Sequence, residues 1–195
     1  MSGQITVRLS FRTLARRTLV CLGLLALAAC GGVTLTGSSE GYAAVILYVV
    51  VYTAMNLAAF GAAASLTGAA GMEDVEDYRG IGYSRPFQGA VLALAMFALA
   101  GIPPTAGFIG KFFIFYAAFR GGEISLAVVG ILAAAVSAYY YLRVVVNLYM
   151  HPAEAAEAHE ASVTETVTLS AVSAVLLVIG VYPAPLLGLI DSILR

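Results

Sequence analysis

The sequence predicts an all-α fold: a polytopic bundle of transmembrane helices in which one helix is discontinuous. Three observations carry that expectation. Hydrophobic residues make up 61% of the chain and charged residues only 11%, against roughly 45–50% and 25% in soluble domains. The apolar residues are gathered into runs of about 20 or more, the length needed to cross a hydrocarbon core about 30 Å thick. None of these runs alternates as a barrel strand would, so their backbone polar groups must be satisfied inside helices.

In chain order the apolar runs cover about 18–35, 42–66, 87–119, 124–150 and 163–182. A sixth, Leu186 to Leu194, is too short to cross. The organisation expected is an atypical N-terminal segment, residues 1–40, with one apolar helix, followed by a membrane domain over residues 41–195. Polar residues are left to the connections. Residues 72–86, MEDVEDYRGIGYSRP, combine acids, arginines and turn-forming glycines and read as a structured loop. Residues 151–162, HPAEAAEAHEAS, read as a surface segment, and the two loops must lie on one side.

Flanking basic residues set the orientation, because Lys and Arg are retained on the cytoplasmic face. Arg8, Arg12, Arg16 and Arg17 precede the first run, Arg79 and Arg85 lie in the 72–86 loop, and Arg143 is near the matching end of the 124–150 run. Only Arg120 and Arg195 fall on the other side. An inside N-terminus and an outside C-terminus are therefore expected.

Several function classes are disfavoured. A net charge of -1 with scattered basic residues gives no footprint for nucleic acid. Cys21 and Cys30 form no C-x-x-C pair, and His151 and His159 are the only histidines. Metal, haem and iron–sulfur ligation are poorly supported, so no cofactor is expected on this chain and redox chemistry belongs elsewhere. Arg16 and Arg17, an apolar core and Leu27-Ala28-Ala29-Cys30 also fit a lipoprotein signal cleaved before Cys30, an alternative to a first membrane helix.

The 87–119 run is too long for one straight crossing. Pro103 and Pro104 remove two amide donors and clash with the preceding turn, so the backbone should unwind near residues 101–107 and leave two half-helices. Irregular backbone at membrane depth survives where protein buries it or where it lines a hydrated cavity, and transporters build ion sites at such breaks. Lys111 follows the break among Phe108, Ile109, Phe112, Phe113 and Ile114. A lysine at the centre of a span costs about 2.5–3.5 kcal/mol on insertion scales, so it must face an interior or a wet path.

Snorkelling is the plain alternative. Eight residues separate Lys111 from Phe119, about 12 Å along a helix and beyond the side chain's reach. A buried amine that can be protonated or neutral, switched by a neighbouring charge, suits proton transfer. A P-loop is excluded, because Thr105 occupies the required glycine position and Phe112 stands where Ser or Thr should follow Gly-Lys. Thr53, Asn56, Ser65, Ser137, Tyr139, Tyr140, Tyr141 and Asn147 are expected chiefly as hydrogen-bond glue between helices. The three tyrosines cannot share one helical face, and Arg143 is divided evenly between interface anchor and site residue.

The stretches YVVVYTAMNLAAF, EDVEDYRGIGYSRP, LAGIPPTAGFIGKFFIFYAAF and LAVVGILAAAVSAYYYLRVVVNLYM, in this order and spacing, resemble the C-terminal part of the subunit N family of respiratory NADH:quinone oxidoreductase, complex I. The resemblance runs from about Gly41 to Pro185 and implies an antiporter-like subunit of the membrane arm. Such a subunit translocates protons as quinone is reduced elsewhere. The family's G-F-I-G-K motif falls on Lys111, which the resemblance casts as a proton relay handing protons towards the periplasmic side. Implied partners are other membrane subunits of complex I, the lipid bilayer and protons, in a bacterial inner membrane. Residues 1–40 depart from the family pattern, and members are much longer than this chain, so a truncated form is expected. A related cation/proton antiporter or membrane-bound hydrogenase subunit, and a non-pumping membrane scaffold, are the alternatives.

Overall fold

A computed structural model describes residues 39–67, 74–152 and 162–194. The 18–35 run, the four leading arginines, Cys21, Cys30 and the lipid-signal alternative, the 153–161 stretch with His159, and Arg195 lie outside the described residues. The described chain is all-α. Its helices are α1 (Ser39–Thr67), the short α2 (Ile81–Ser84), α3 (Pro86–Ala100), α4 (Ala106–Arg120), α5 (Ile124–Tyr149), α6 (Val163–Val181) and α7 (Ala184–Leu194). One turn of 3-10 helix, Val75–Tyr78, precedes α2.

Among the described residues, three helices are long and apolar enough to cross a membrane: Gly41–Thr67, Ile124–Tyr149 and Val163–Val181. The long third run is divided as the prolines require. Half-helices α3 and α4, of 15 residues each, are about 22 Å long, so neither alone matches a core about 30 Å thick. Together they run from the end that holds the 74–85 loop to the end that holds Gly121 and Gly122. Pro86 opens α3 at its first position, where a missing amide costs nothing.

Helix α1 sits at the centre, packed against α3, α4, α6 and α7. Leu47, Val51, Met55, Ala58, Ala62 and Leu66 are buried and recur at helical spacing along its inward face. Ile46, Val50, Leu57 and Phe60 on its other faces are exposed and apolar, as suits contact with hydrocarbon. Small residues on facing helices, such as Ala93, Ala95 and Ala98 of α3, let the backbones approach closely. At the start of α6, Ser162 and Glu165 form a capping box that satisfies two amides.

The 74–85 loop is structured and docked on the end of α5. Buried Asn147 donates its amide to the Val75 carbonyl (3.2 Å) and accepts the Gly80 amide on its own carbonyl (2.9 Å). Tyr83 donates its hydroxyl to the Tyr149 carbonyl (2.9 Å) and packs edge-on against the Tyr149 ring. Burial pushes the Tyr78 phenol up from its ordinary value, an effect its hydrogen bond with Thr67 partly offsets. The loop and the far end of α5 thus share one side of the bundle.

Arg143 pairs with Glu76 of the 74–85 loop at 2.8 Å. Both side chains are substantially exposed, at 39% and 32%, and an exposed pair contributes at most about 1 kcal/mol. Arg143→Ala is therefore expected to lower the stability of the detergent-solubilised chain by less than about 1 kcal/mol. A fall of several kcal/mol in chemical unfolding would show that the ion pair holds the loop.

Candidate functional site

The break begins where α3 ends. Gly101 takes the left-handed conformation (φ 86°, ψ 37°), and its amide closes on the Phe97 and Ala98 carbonyls. Such a left-handed residue after a helix is ordinarily glycine, because a Cβ is disfavoured there. Residues 101–105 then carry the chain away from the helix, and Thr105, buried, donates its hydroxyl to the Ile102 carbonyl (2.7 Å). Half-helix α4 starts at Ala106.

This geometry brings Lys111 back onto the end of α3. Its Nζ donates to the Leu99 carbonyl at 2.8 Å and to the Ala100 carbonyl at 3.1 Å. The last carbonyls of a helix lack intrahelical partners and carry a partial negative charge equivalent to about half an electron. An ammonium there is matched by a neutral but oriented acceptor pair. Among the described residues, its hydrogen-bond partners are these two carbonyls rather than a carboxylate. The side chain is half-buried and does not snorkel towards Phe119. A cation without a fixed counter-ion can exchange its proton with a transient partner at lower cost than one locked in an ion pair.

Two glycines, Gly107 and Gly180, hold the break in shape. A Cβ at position 107 would overlap the Ala98 carbonyl oxygen, so α4 starts in direct backbone contact with α3. At Gly180 of α6 a Cβ would overlap the Pro104 carbonyl oxygen. Helix α6 thus packs directly on the backbone at Pro104–Ala106, while the Ile102, Pro103 and Pro104 side chains stay exposed. Gly110 faces the Tyr48 ring of α1 at ordinary contact distance.

Of the tyrosine triplet, only Tyr141 is buried; Tyr139 and Tyr140 are exposed. Among the described residues its hydroxyl has no hydrogen-bond partner. Tyr48 and Tyr52 are stacked on one another along α1. The other polar residues of the spans correct the expectation of glue between helices. Thr53 and Asn56 donate to the Val49 and Tyr52 carbonyls four residues back, and Ser137 donates to Ala134. Each satisfies itself within its own helix. Ser65 is buried, with no hydrogen-bond partner for its hydroxyl among the described residues. Asn147 does link elements, but helix to loop.

Sequence reading missed Arg85 as more than an orientation marker. It is buried, and its guanidinium donates to the Leu66 carbonyl (2.7 Å) at the end of α1. The available signal was its place immediately before the helix-opening Pro86. Among the described residues no three His, Cys, Asp or Glu side chains lie together as a metal site would need.

A broken helix carrying a lysine on its own carboxyl end is the arrangement against which likeness to known proteins can be weighed. Residues 12–137 match the family described as NADH:quinone oxidoreductase/Mrp antiporter, TM. The chain belongs to that family. The match begins inside the segment that the motifs alone had set apart, so the family likeness reaches further towards the N-terminus than about Gly41. Subunit N of the NADH-quinone oxidoreductase of Geotalea uraniireducens (strain Rf4) is 73% identical over 185 residues, which are 94% of this chain and 38% of that subunit. The corresponding subunit of Geobacter metallireducens is 54% identical over the same shares. The chain thus spans little more than a third of the length of these relatives. Among solved structures, respiratory complex I from Thermus thermophilus with bound aureothin gives a TM-score of 0.65 at 24% identity, covering 87% of this chain and 44% of that one. The membrane-bound sulfane sulfur reductase, an archaeal respiratory membrane complex, gives 0.74 at 19% identity, covering 93% and 42%. These two likenesses establish the shared fold.

Proposed function

We propose that this chain takes part in proton translocation within the membrane arm of an NADH:quinone oxidoreductase, with Lys111 as a proton relay. One observation carries the reading: an ammonium in an apolar half-helix rests on the carboxyl end of the other half, with two carbonyls and no carboxylate as its partners among the described residues. Such a site gives the amine two oriented carbonyl acceptors yet leaves it free to answer a charge arriving nearby. The subunit N relatives extend well beyond the matched stretch. Translocation is therefore a property of the assembly into which this stretch fits, and its partners are the neighbouring membrane subunits and the bilayer. The redox cofactors belong to other chains of that assembly. The basic flanks support a bacterial inner-membrane setting with the C-terminus outside.

In vesicles carrying the assembled complex, Lys111→Ala is expected to reduce NADH-driven acidification by about tenfold or more, a modest share of what a positioned proton carrier contributes. Lys111→Arg, which retains the charge, should be milder. Equal acidification by parent, Ala and Arg forms at equal assembly would eliminate the relay role and leave a membrane scaffold. The family description also names Mrp antiporters, which favours cation/proton exchange as the second reading. Acidification driven by an imposed sodium gradient, and insensitive to NADH, would select it.

A further inference from the structure

We propose that Gly101 is a positioning residue for Lys111: the hydrogen atom it carries in place of a side chain is what lets the ammonium rest on the carboxyl end of α3. The proposal deepens, and rests on, the reading of Lys111 as a proton relay. A Cβ built at position 101 would stand 3.0 Å from Lys111 Cδ, 3.3 Å from Nζ and 3.5 Å from Cε. Half of the lysine stem and its charged end therefore lie flat against the glycine. The same ammonium reaches Leu99 O and Ala100 O at 2.8 and 3.1 Å. Both acceptors belong to the two residues immediately before Gly101, so the glycine forms the floor over which the lysine must pass to reach them.

Position 101 is constrained twice, by its backbone (φ +86°) and by that passage. The two constraints fail differently. Backbone strain would act on the turn itself. Crowding would act on Lys111, because the obstructing neighbour is a flexible side chain that can swing aside while the fold persists. Contrast Gly107 and Gly180, where the obstructing neighbours are backbone. Gly122 supplies an internal control: it is also left-handed (φ +82°), but a Cβ there would meet nothing within 4 Å.

The test follows acylation of Lys111 by acetic anhydride, read by mass spectrometry on the full chain in native membranes. Only the neutral amine reacts, and an ammonium held by two carbonyls is protected. Gly101→Ala is expected to raise the acylation rate about tenfold, the factor that losing one hydrogen bond to a charged group produces. Gly101→Asn should raise it as much, since asparagine tolerates the left-handed backbone but brings a Cβ. Gly122→Ala should leave it at the parent rate. The proposal is overturned if Gly101→Ala acylates like the parent, or if Asn restores protection, because backbone strain alone would then account for the glycine. It is equally overturned if both Gly101 variants fail to accumulate while Gly122→Ala accumulates. Acidification in Lys111→Ala is measured alongside. Loss of protection at Lys111 with acidification unaffected by Lys111→Ala would sink the relay reading and leave the positioning intact.

Discussion

Gly107→Ala is expected to destabilise the folded chain by about 3 kcal/mol or more, at or beyond the upper end of ordinary overpacking. The methyl group would overlap the Ala98 carbonyl oxygen, stand 2.7 Å from its carbon and approach the Met55 sulfur at 2.8 Å. A sulfur at the end of a flexible side chain can yield; the carbonyl cannot, because it sits in the last turn of α3 with α1 packed behind it. Relief requires α4 to move away from α3, which would also draw Lys111 off the Leu99 and Ala100 carbonyls. Gly180→Ala presses on the same break from the α6 side, within 2.5 Å of the Thr105 carbonyl carbon. Gly188→Ala is the reference: position 188 is open and helical, so alanine should be neutral or stabilising by up to about 1 kcal/mol. Thermal unfolding in detergent, followed by helical circular dichroism, decides the matter. A Gly107→Ala chain that melts with the parent would mean that the two half-helices are not in fixed contact.

The expected loss explains which features could be read from sequence. The break was legible because proline acts locally: two consecutive prolines end a helix whatever surrounds them. Membrane character was legible because composition and run length are themselves the signal. Lys111 stood out because a charge is costly at that depth. What it touches was not legible, since its acceptors are backbone carbonyls, which every residue carries. Their availability depends on where α3 stops and on the turn that brings α4 back. The roles of Gly107 and Gly180 were hidden for a related reason. In a chain with 20 glycines, only packing distinguishes those that touch backbone from Gly188, which touches nothing.

Polar residues of the spans show the reverse error. Thr53, Asn56 and Ser137 look like links between helices because a lone polar side chain in lipid needs a partner. Each finds one a turn back on its own helix, an option open to any short polar side chain and independent of its neighbours. Among the tyrosines, helical periodicity limited how many could point inward, and packing selected Tyr141. That its hydroxyl finds no hydrogen-bond partner among the described residues is a feature of the packed bundle alone.

Arg85→Met is expected to cost about 1.5–3 kcal/mol, the range for a hydrogen bond made by a charged group. Methionine retains much of the stem's volume, so the change bears chiefly on the guanidinium and its bond to Leu66 O (2.7 Å). Opposing this, burying a cation is itself expensive, and apolar replacement of buried charges is often neutral. The carbonyl decides between them. Leu66 is fully buried at the end of the described α1, where among the described residues Arg85 is the donor to its backbone oxygen, so removing Arg85 exchanges a paired charge for an acceptor that has lost that donor rather than for a dry contact. Arg85→Lys, which keeps the charge but loses the planar fork, should fall between Met and the parent. Equal unfolding midpoints for Arg85→Met and the parent would show that desolvation cancels the bond. The pairing of Arg85 with α1 repeats, at the loop end, the pairing of Lys111 with α3 at the break. The difference in chemistry follows from the side chains: a guanidinium stays charged at any physiological pH, whereas an amine can give its proton away. A cation on a helix's carboxyl end is thus a structural cap at one site and a candidate carrier at the other.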